Sequence, residues 1–409
     1  MPDQAEGKTG RGTSESSSRG KVAEIALLFL RLGLIGFGGP AAHIAMMEEE
    51  VVARRRWISR EQFLDLLGAT NLIPGPNSTE MAIHIGMVRA GLRGLIVAGL
   101  CFILPATAIT LGFAWAYVRY HGVPQLSALL FGIKPVVIAI ILSAVIRLGR
   151  TAVKTPGLAV LGLVVLVLGL LGINEIALLL GAGVAGILWS VLRHSSIGPG
   201  GPPGLTGVIG LTVVVVIVTA GVGAATPGSL GGLPPSLFSI GLTFLKIGSV
   251  LFGSGYVLIA FLRGDLVVNY RWLTELQLLD AVAIGQFTPG PVLSTATFVG
   301  YLLEGWIGAL VATAAIFLPS FLFVLATNPF IPRLRDSTTA ASFLDAVNVS
   351  SIGLMGAVTV EFAASALKGW AGWAIGLAAL VGMIKYRLNP AWLIIGGALA
   401  GSALKGLGA

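Results

Sequence analysis

The sequence predicts an all-α polytopic membrane protein in which two homologous helical units form an inverted repeat. Its composition is the first indication, since 55% of its 409 residues are hydrophobic and 11% are charged, against about 45–50% and about 25% in soluble domains. Long uncharged stretches are the second. Residues 156–173 and 208–230 contain no ionised side chain, and apolar runs of about 18 residues indicate bilayer spans. Self-similarity at one fixed offset is the third, and it predicts the duplication.

Charge and motif content narrow the function classes. The net charge of +8 comes from cations in short loops between apolar stretches, which is typical of membrane topology signals and argues against a nucleic-acid partner. The one cysteine, Cys101, cannot form an internal disulfide, and the sequence has no Cys/His spacing typical of a metal site. It also lacks nucleotide-binding and hydrolase motifs. We therefore expect no cofactor, no metal and no enzymatic activity, and a driving force that comes from ion gradients.

The duplication is visible in residues that composition alone would not repeat. A shift of 215 residues pairs Phe29 with Phe244, and it also pairs the Arg-Trp, Asp and Pro-Gly-Pro positions of the two halves. The predicted organisation is a disordered cytoplasmic tail (1–20), a first repeat (21–194), a linker (195–235) and a second repeat (236–409). The linker contains an unpaired span near 208–224. An even number of crossings per repeat returns the chain to the side it left, so this extra transmembrane helix inverts the second repeat.

Two segments at the start of each repeat are interrupted by helix-breaking residues. In the first repeat, residues 22–53 are broken by a GGP turn (38–40) and residues 61–88 by a PGP turn (74–76). Such breaks free backbone groups that lipid cannot satisfy, so they belong inside protein or beside water. Because the pieces are shorter than the roughly 20 residues of a span, we predict two broken half-helix hairpins per repeat, either re-entrant or fully crossing, and then about four spanning helices. The spans are expected near 92–118, 126–147, 156–173 and 175–193, and near 306–326, 340–364, 370–384 and 389–404.

The loop charges predict the orientation in the membrane. With the N-terminus in the cytoplasm, fifteen loop cations lie inside and five lie outside, as the positive-inside rule requires. The C-terminus is then external. The inside set is Lys21, Arg54, Arg55, Arg56, Arg60, Arg89, Arg93, Arg147, Arg150, Lys154, Arg193, Arg333, Arg335, Lys385 and Arg387, and the outside set is Arg119, Arg263, Arg271, Lys368 and Lys405.

Three cations lie in neither loops nor the tail: Arg31, Lys134 and Lys246. Arg31 and Lys246 hold equivalent positions, about two helical turns before the first break of each repeat. An intramembrane cation is costly enough to indicate function, so we predict that Arg31 and Lys246 together balance the charge of a dianion at the midplane. The alternatives are snorkelling to the interface, or a structural ion pair with a carboxylate such as Asp280.

The breaks themselves provide a second feature suited to anion binding. Each new half-helix begins just after a turn, and its first N–H groups carry the positive end of the helix dipole. In inverted copies, up to four such ends converge near the midplane. The polar side chains at the turns have an alternative role, which is to satisfy backbone groups freed by the prolines. Besides Arg31 and Lys246, the predicted substrate-binding residues are Gly38, Gly39, Asn71, Gly75, Asn77, Ser78 and Thr79, and in the second repeat Gly253, Ser254, Gly255, Gln286, Thr288, Gly290 and Ser294.

Four residues are candidates for proton coupling: Glu80, His84, Asp65 and Asp280. Glu80 lies one turn after the first PGP turn with His84 at i+4, and such a pair can relay protons. The second repeat has Thr295 at the Glu80 position, so a proton role for Glu80 breaks the symmetry. Asp65 and Asp280 recur in both repeats, and their alternative role is to cap a helix or to pair with a neighbouring arginine.

At these residues the sequence resembles the chromate ion transporter (CHR) family, in its long form with two fused domains. The resemblance spans about residues 22–405. It depends on FGGPAAHIAMMEEEVVARRRWIS, on NLIPGPNSTEMAIHIGMVRAGLRG followed by FILPA, and on AIGQFTPGPVLSTATFVGYLLEGWIGA followed by FLPSF. It implies an inner-membrane protein of a bacterium or archaeon that exports chromate, is linked to sulfate as a chemical mimic, and is driven by the proton motive force. FGSG at residues 252–255 departs from the family's FGGG/FGGP pattern.

Other functions fit the same residues. An oxyanion-selective channel, or a carrier for sulfate or molybdate, would use the same half-helices and cations, because chromate and sulfate are tetrahedral dianions of similar size. An intramembrane enzyme would need a nucleophile–base pair, and none is visible in the sequence. Protons or sulfate are the expected coupling species and the lipid bilayer is the expected surroundings. Association into a homodimer is left open.

Overall fold

The structure, a computed structural model, describes residues 10–71, 73–120, 123–195, 234–252, 255–327, 338–367 and 369–406. These ranges contain fourteen α-helices and no strand, in agreement with the predicted all-α fold. The first repeat holds α1 (Gly10–Ile35), α2 (Pro40–Glu48), α3 (Arg60–Thr70), α4 (Asn77–Tyr120), α5 (Pro124–Ala152), α6 (Pro156–Leu170) and α7 (Glu175–Ser195). The second holds α8 (Leu237–Val250), α9 (Leu258–Leu262), α10 (Glu275–Phe287), α11 (Thr295–Thr327), α12 (Thr338–Ala366), α13 (Gly369–Ile384) and α14 (Pro390–Gly406).

The N-terminal segment differs from its prediction. Helix α1 begins at Gly10, so residues 10–20 are helical where the sequence predicts a disordered tail. Once the apolar part of α1 has nucleated a helix, each added residue gains a hydrogen bond, and the polar residues before it can continue the helix. Residues 1–9 and the predicted unpaired span near 208–224 lie outside the described residues.

Several helices are suited to a lipid environment. Four segments of the described chain are long and apolar enough to cross a membrane: Asn77–Tyr120, Gln125–Ala152, Val292–Thr327 and Ala341–Ala366. Large apolar side chains such as Leu163, Trp370 and Phe238 point outward from the molecule, where a soluble protein would place polar groups. The chain is therefore a multi-pass membrane protein.

Helix α4 contains a chain reversal. Its 44 residues exceed the roughly 20 that one crossing needs, and the backbone of Ala90 and Gly91 is non-helical. Across this turn Gly86 lies directly against the backbone of Gly94. Residues 77–89 therefore form a half-helix that folds back on the start of the following span, as the sequence predicts for the piece after the PGP turn.

The second repeat reproduces the first at the level of single dihedral angles. Helix α11 reverses at Glu304 and Gly305, where φ is −141° and 59°, against −145° and 60° at Ala90 and Gly91. Ala90 and Gly91 align with Glu304 and Gly305 at a shift of 214 residues, one less than the shift that aligns the PGP turns, so the duplication extends to the backbone geometry.

The two repeats exchange their last helices. Helix α5 of the first repeat packs against α13 and α14 of the second, and in return α12 of the second packs against α6 and α7 of the first. Glycines allow the close approach, with Gly132 of α5 against Gly397 and Gly401 of α14, an arrangement typical of packed membrane helices. The repeats are consecutive in sequence, as predicted, but they do not fold as separate bodies in the described residues.

The equivalent helices α5 and α12 run in opposite directions. Gly149 of α5 faces Ile352 of α12, while Lys154, just beyond the end of α5, pairs with Asp345 nearer the start of α12, with Nζ and Oδ1 2.6 Å apart. The contact partner thus moves toward the N-terminus of α12 as the chain advances along α5. Two equivalent helices that run antiparallel are related by an axis perpendicular to both.

Candidate functional site

The two PGP turns are tied to the opposite repeat by reciprocal hydrogen bonds. The N–H of Gly75 donates to the carbonyl oxygen of Leu251 (2.6 Å), and the N–H of Gly290 donates to that of Gly36 (2.8 Å). Both donors and both acceptors are equivalent under the 215-residue shift. Because Gly36 and Leu251 directly follow α1 and α8, each bond joins the PGP turn of one repeat to the first break of the other. The breaks thus converge, as the sequence predicts.

Each PGP turn lies under a long helix of the other repeat. Gly75 and Gly290 have positive φ angles of 147° and 94°, which favour glycine. A Cβ at Gly75 would meet the Glu80 carboxyl group and, at 2.7 Å, the Ser320 hydroxyl oxygen, and one at Gly290 would meet the Ala106 Cβ at 2.8 Å. Ser320 and Ala106 are equivalent, each following the proline inside its helix. The turns therefore pack too closely to admit a side chain.

Five buried polar side chains lie on the turns and helices that form this junction. Their oxygens have no hydrogen-bond partner among the described residues, and the side chains are at most 6% exposed. A buried polar group left unsatisfied costs about 1–3 kcal/mol, so these oxygens are candidates for binding a polar ligand. We call the set the central polar cluster; its members are Thr79, Glu80, Thr107, Ser294 and Ser320.

The first turn of each half-helix that follows a PGP turn has backbone N–H groups without an acceptor, and the bonded N–H groups show where these free donors end. The N–H groups of Thr79 and Glu80 bond to the carbonyl oxygen of Pro76 (2.8 and 3.1 Å), and the N–H of Ser294 bonds to that of Pro291 (3.0 Å). The N–H groups that precede them in each half-helix have no intrahelical acceptor. Together with the hydroxyl groups of the cluster, these donors suit an anion with several oxygen atoms.

Several predicted binding amides and hydroxyls instead hold the turns together. The Asn77 amide donates to the Asn71 side-chain oxygen (2.6 Å) in an exposed contact, and Asn71 donates to the carbonyl of Leu67. The Thr288 hydroxyl donates to the carbonyl of Ile284 (2.8 Å). These contacts fit the alternative role of satisfying backbone and neighbouring polar groups. Ser78 is buried, and the Gln286 amide nitrogen has no partner among the described residues.

The first breaks of the two repeats also meet. Gly38 and Gly39 have φ angles of 106° and 76°, and the Tyr256 hydroxyl lies 3.2 Å from where a Cβ of Gly39 would stand. Gly255 begins a short 3₁₀ helix and is buried. Gly253 and Ser254 lie outside the described residues. Tyr256 thus covers the GGP turn of the first repeat from the second.

The duplicated cations are paired with duplicated carboxylates. Arg31 Nη1 is 3.6 Å from Glu50 Oε1, and Lys246 Nζ is 2.6 Å from Asp265 Oδ2; Glu50 and Asp265 are equivalent positions. Neither cation is paired with Asp280, the partner suggested in the structural alternative. Each already has a compensating charge, so the role of Arg31 and Lys246 in balancing a dianion stays a prediction.

Asp280 takes part in a buried contact between the repeats. Lys134 Nζ of α5 is 3.2 Å from Asp280 Oδ1 of α10, and the Tyr117 hydroxyl of α4 donates to Oδ2 (3.0 Å). Asp280 thus takes part in a structural contact, as the alternative role proposes, and a distant lysine is one of its charged partners. Its equivalent, Asp65, is half-buried and also has an interaction partner. The role of Asp65 and Asp280 in proton coupling stays a prediction.

Sequence reasoning missed Ser320, Thr107 and Tyr256. A signal for Ser320 exists in the duplication, because the shared Leu-Pro pair is followed by Ala106 in the first repeat and by Ser320 in the second. For Tyr256, which has no polar counterpart at Ala41, the sequence gives no indication of its contact with the GGP turn.

Comparison with known proteins gives one consistent family. Residues 23–187 and 238–402 each match the family model described as chromate transporter. A "Chromate transport protein" of Cupriavidus metallidurans is 30% identical over 96% of this chain and 96% of its own length. A protein of the same description from Pseudomonas aeruginosa is 33% identical over 91% and 90%, and a "Probable chromate transport protein" of Synechococcus elongatus is 32% identical over 93% and 95%. No solved structure matches the chain.

Proposed function

The chain belongs to the chromate transporter family, which makes it a transporter and not an enzyme, and we propose that it exports chromate across the inner membrane as a secondary transporter. The substrate site in this proposal is the central polar cluster with the two PGP turns. The observation that carries it is the reciprocal pair of hydrogen bonds at Gly75 and Gly290. This pair brings half-helix ends from both repeats to one place, where transporters built from inverted repeats bind their substrates.

The proposal includes the inverted orientation of the repeats. Antiparallel α5 and α12 support it, because equivalent helices that run in opposite directions cross a bilayer with opposite orientation. The distribution of loop cations supports the same orientation, with the N-terminus in the cytoplasm and the C-terminus outside. In this arrangement the pseudo-two-fold axis lies in the membrane plane and passes near the PGP turns.

The chemistry of the cluster suits a substrate that must be released. Hydroxyl and N–H donors can replace the hydration of a tetrahedral oxyanion without holding it as a cluster of arginines would. The membrane potential can drive export, since moving each charge is worth about 2.3 kcal/mol per 100 mV and a dianion carries two charges. Chromate is proposed over sulfate because of the names of the relatives, and sulfate remains the obvious competitor.

A counterflow experiment tests the transport function. Purified protein in liposomes preloaded with unlabelled chromate is expected to accumulate labelled chromate, and unlabelled sulfate is expected to compete. Accumulation against the chromate gradient identifies a carrier, whereas an oxyanion channel only equilibrates the label. If neither ion exchanges while molybdate or phosphate does, the substrate assignment is wrong.

The paired cations give a separate test of substrate binding. Arg31→Gln and Lys246→Gln are each expected to weaken chromate binding at least about tenfold, or ~1.4 kcal/mol, because each removes positive charge near the breaks. Arg31→Lys, which keeps the charge, is expected to be milder. Binding is measured by equilibrium titration of purified protein.

Double variants separate binding from structure in that experiment. Arg31→Gln with Glu50→Gln, and Lys246→Gln with Asp265→Asn, remove both members of each ion pair and leave no unpaired charge. If the cations contact the substrate, the double variants still bind weakly. Recovery of parental affinity in both double variants would show that the cations serve only their carboxylates.

A further inference from the structure

We infer that the chain binds a phospholipid with a negatively charged headgroup at a site separate from the central polar cluster. The acyl chain of this lipid fills a pocket between α4, α5, α10 and α14, and its phosphate lies beside two cations at the mouth of that pocket. We call this space the lipid pocket; its wall includes Tyr117 and Tyr120 of α4, Leu130 of α5, Phe287 of α10 and Ala398 of α14.

The lipid pocket is a cavity of about 290 Å³ with an almost entirely apolar wall. Of the two tyrosines in the wall, Tyr117 donates its hydroxyl to Asp280 (3.0 Å), and Tyr120 is 51% exposed. A buried water needs two to four polar partners, so this wall does not suit water. If the space were empty, its wall would lose dispersion contacts. The chemistry of the wall therefore favours an apolar occupant.

The lipid pocket is open on the side that faces the hydrocarbon of the bilayer. Phe113 and Ile395 belong to its wall and are still 37% and 38% exposed. The wall residues of α4 and α5 lie in segments that are long and apolar enough to cross a membrane, Asn77–Tyr120 and Gln125–Ala152. The apolar molecule that surrounds such segments in excess is a lipid acyl chain, which makes it the occupant.

The depth of the lipid pocket matches one leaflet. Ile394 of the wall and Lys405 lie about three helical turns apart on α14, or ~16 Å at about 1.5 Å per residue. This is half of the roughly 30 Å of a hydrocarbon core. At the deep end Phe287 directly precedes the second PGP turn, and its ring centroid is 5.8 Å from that of Phe113. An acyl chain can therefore extend from the membrane surface to the level of the PGP turns.

The mouth of the lipid pocket is positively charged. Lys405 lies over α5, with its Nζ 3.3 Å from the Ser127 hydroxyl oxygen and 5.7 Å from the centroid of the Phe131 ring. Arg119 is exposed and adjoins Tyr120 of the wall. The last two turns of α4, the first two of α5 and the last two of α14 contain these two cations and no carboxylate. This charge is complementary to an anionic headgroup.

Two aromatic side chains mark the same end of α4 as the level of the headgroups. Trp115 and Tyr120 are 46% and 51% exposed, and their ring centroids are 6.3 Å apart. Exposed tryptophan and tyrosine side chains are enriched where the membrane meets water. The phosphate of a lipid whose chain enters the lipid pocket is then at the height of Arg119 and Lys405. In the proposed topology this is the external leaflet.

A lipid titration tests the headgroup. The purified full chain in detergent is titrated with phosphatidylglycerol, which is negatively charged, or with phosphatidylcholine, which is zwitterionic, and retained lipid is counted by native mass spectrometry. The parent protein is expected to bind phosphatidylglycerol at least about fivefold more tightly, as expected for one or two cations near a headgroup. Arg119→Gln combined with Lys405→Gln is expected to remove this preference.

The matched control removes two cations from the other side of the membrane. Arg150 lies in the last turn of α5 and Lys385 directly follows α13, and both are exposed. Arg150→Gln combined with Lys385→Gln changes the net charge by the same amount as the test variant. It is expected to keep the preference for phosphatidylglycerol.

A second variant tests the acyl-chain site. Ala398→Phe places a ring in the lipid pocket and is expected to reduce the retention of both lipids, whereas Ala378→Phe adds a ring on an exposed position of α13 and is expected to leave retention unchanged. Thermal unfolding without added lipid shows whether each variant is folded. The charge variant leaves the wall intact, so it tests the site even if Ala398→Phe destabilises the protein.

Three outcomes would overturn the inference. They are equal retention of the two lipids by the parent, an unchanged preference in the Arg119 and Lys405 double variant, and unchanged retention in folded Ala398→Phe. If the parent retains neither lipid, the lipid pocket is covered by protein, either residues 208–224 of this chain or a second copy, and the inference is also wrong. None of these measurements uses transport, so failure of the proposed function would leave them unaffected.

Discussion

Valine at Gly75 or Gly290 is expected to abolish transport while the protein still reaches the membrane. Both positions have positive φ, which a β-branched residue resists. At Gly75 the new Cβ would also displace the Glu80 carboxyl group and the Ser320 hydroxyl, and at Gly290 it would press on Ala106. The substitution therefore separates the half-helix ends that form the proposed site. Transport is measured by chromate counterflow, and membrane insertion by the amount and monodispersity of detergent-extracted protein.

Gly172→Val is the matched control for this prediction. Gly172 has a φ angle of 79° and no heavy atom within 4 Å of a would-be Cβ, so valine there adds backbone strain without a clash in the site. We expect Gly172→Val to lower thermal stability and to keep transport. Parental transport rates in both Gly75→Val and Gly290→Val would exclude the PGP turns from the mechanism.

Breaking the ion pair between Lys134 and Asp280 is expected to give the largest loss of stability, about 3–5 kcal/mol. The side chain of Asp280 is 4% exposed and that of Lys134 is 17% exposed. Lys134→Ala removes the ammonium group that faces a buried carboxylate, and Asp280→Ala removes the carboxylate that faces a largely buried ammonium group. The loss is measured by thermal or denaturant unfolding of the purified protein in detergent.

A double variant and a second ion pair complete this test. Lys134→Leu combined with Asp280→Leu removes both charges and is expected to recover most of the stability, since apolar replacements of buried ion pairs are often neutral or stabilising. Lys154→Ala removes a more exposed ion pair, between Lys154 and Asp345 of α12, whose side chains are 59% and 31% exposed, and is expected to cost about 0–1 kcal/mol. Equal losses for Lys134→Ala and Lys154→Ala would contradict a special role for the buried pair.

The sequence alone determined the local features of this protein. Hydrophobic runs, Gly-Gly-Pro and Pro-Gly-Pro breaks and their recurrence after 215 residues predicted the helices, the half-helices and the duplication, because helix formation and interruption depend on residues a few positions apart. The same local logic identified Gly75, Gly290 and Glu80. It failed for residues 10–20, where the polar composition gave no sign that α1 extends to Gly10.

Only the tertiary structure decided which residues face one another. The ion pairs of Lys134 with Asp280 and of Arg31 with Glu50 join positions on different helices. Glu80 and Ser320, from different repeats, both lie beside Gly75. The contact of Lys134 with Asp280 depends on how α5 packs against the second repeat, and glycine contacts such as Gly132 against Gly397 allow that packing. Hydropathy and charge patterns along the chain show that each helix is apolar. They do not show which helices contact each other, because lipid and protein are equally apolar neighbours. The fit between helix surfaces selects the neighbouring helix.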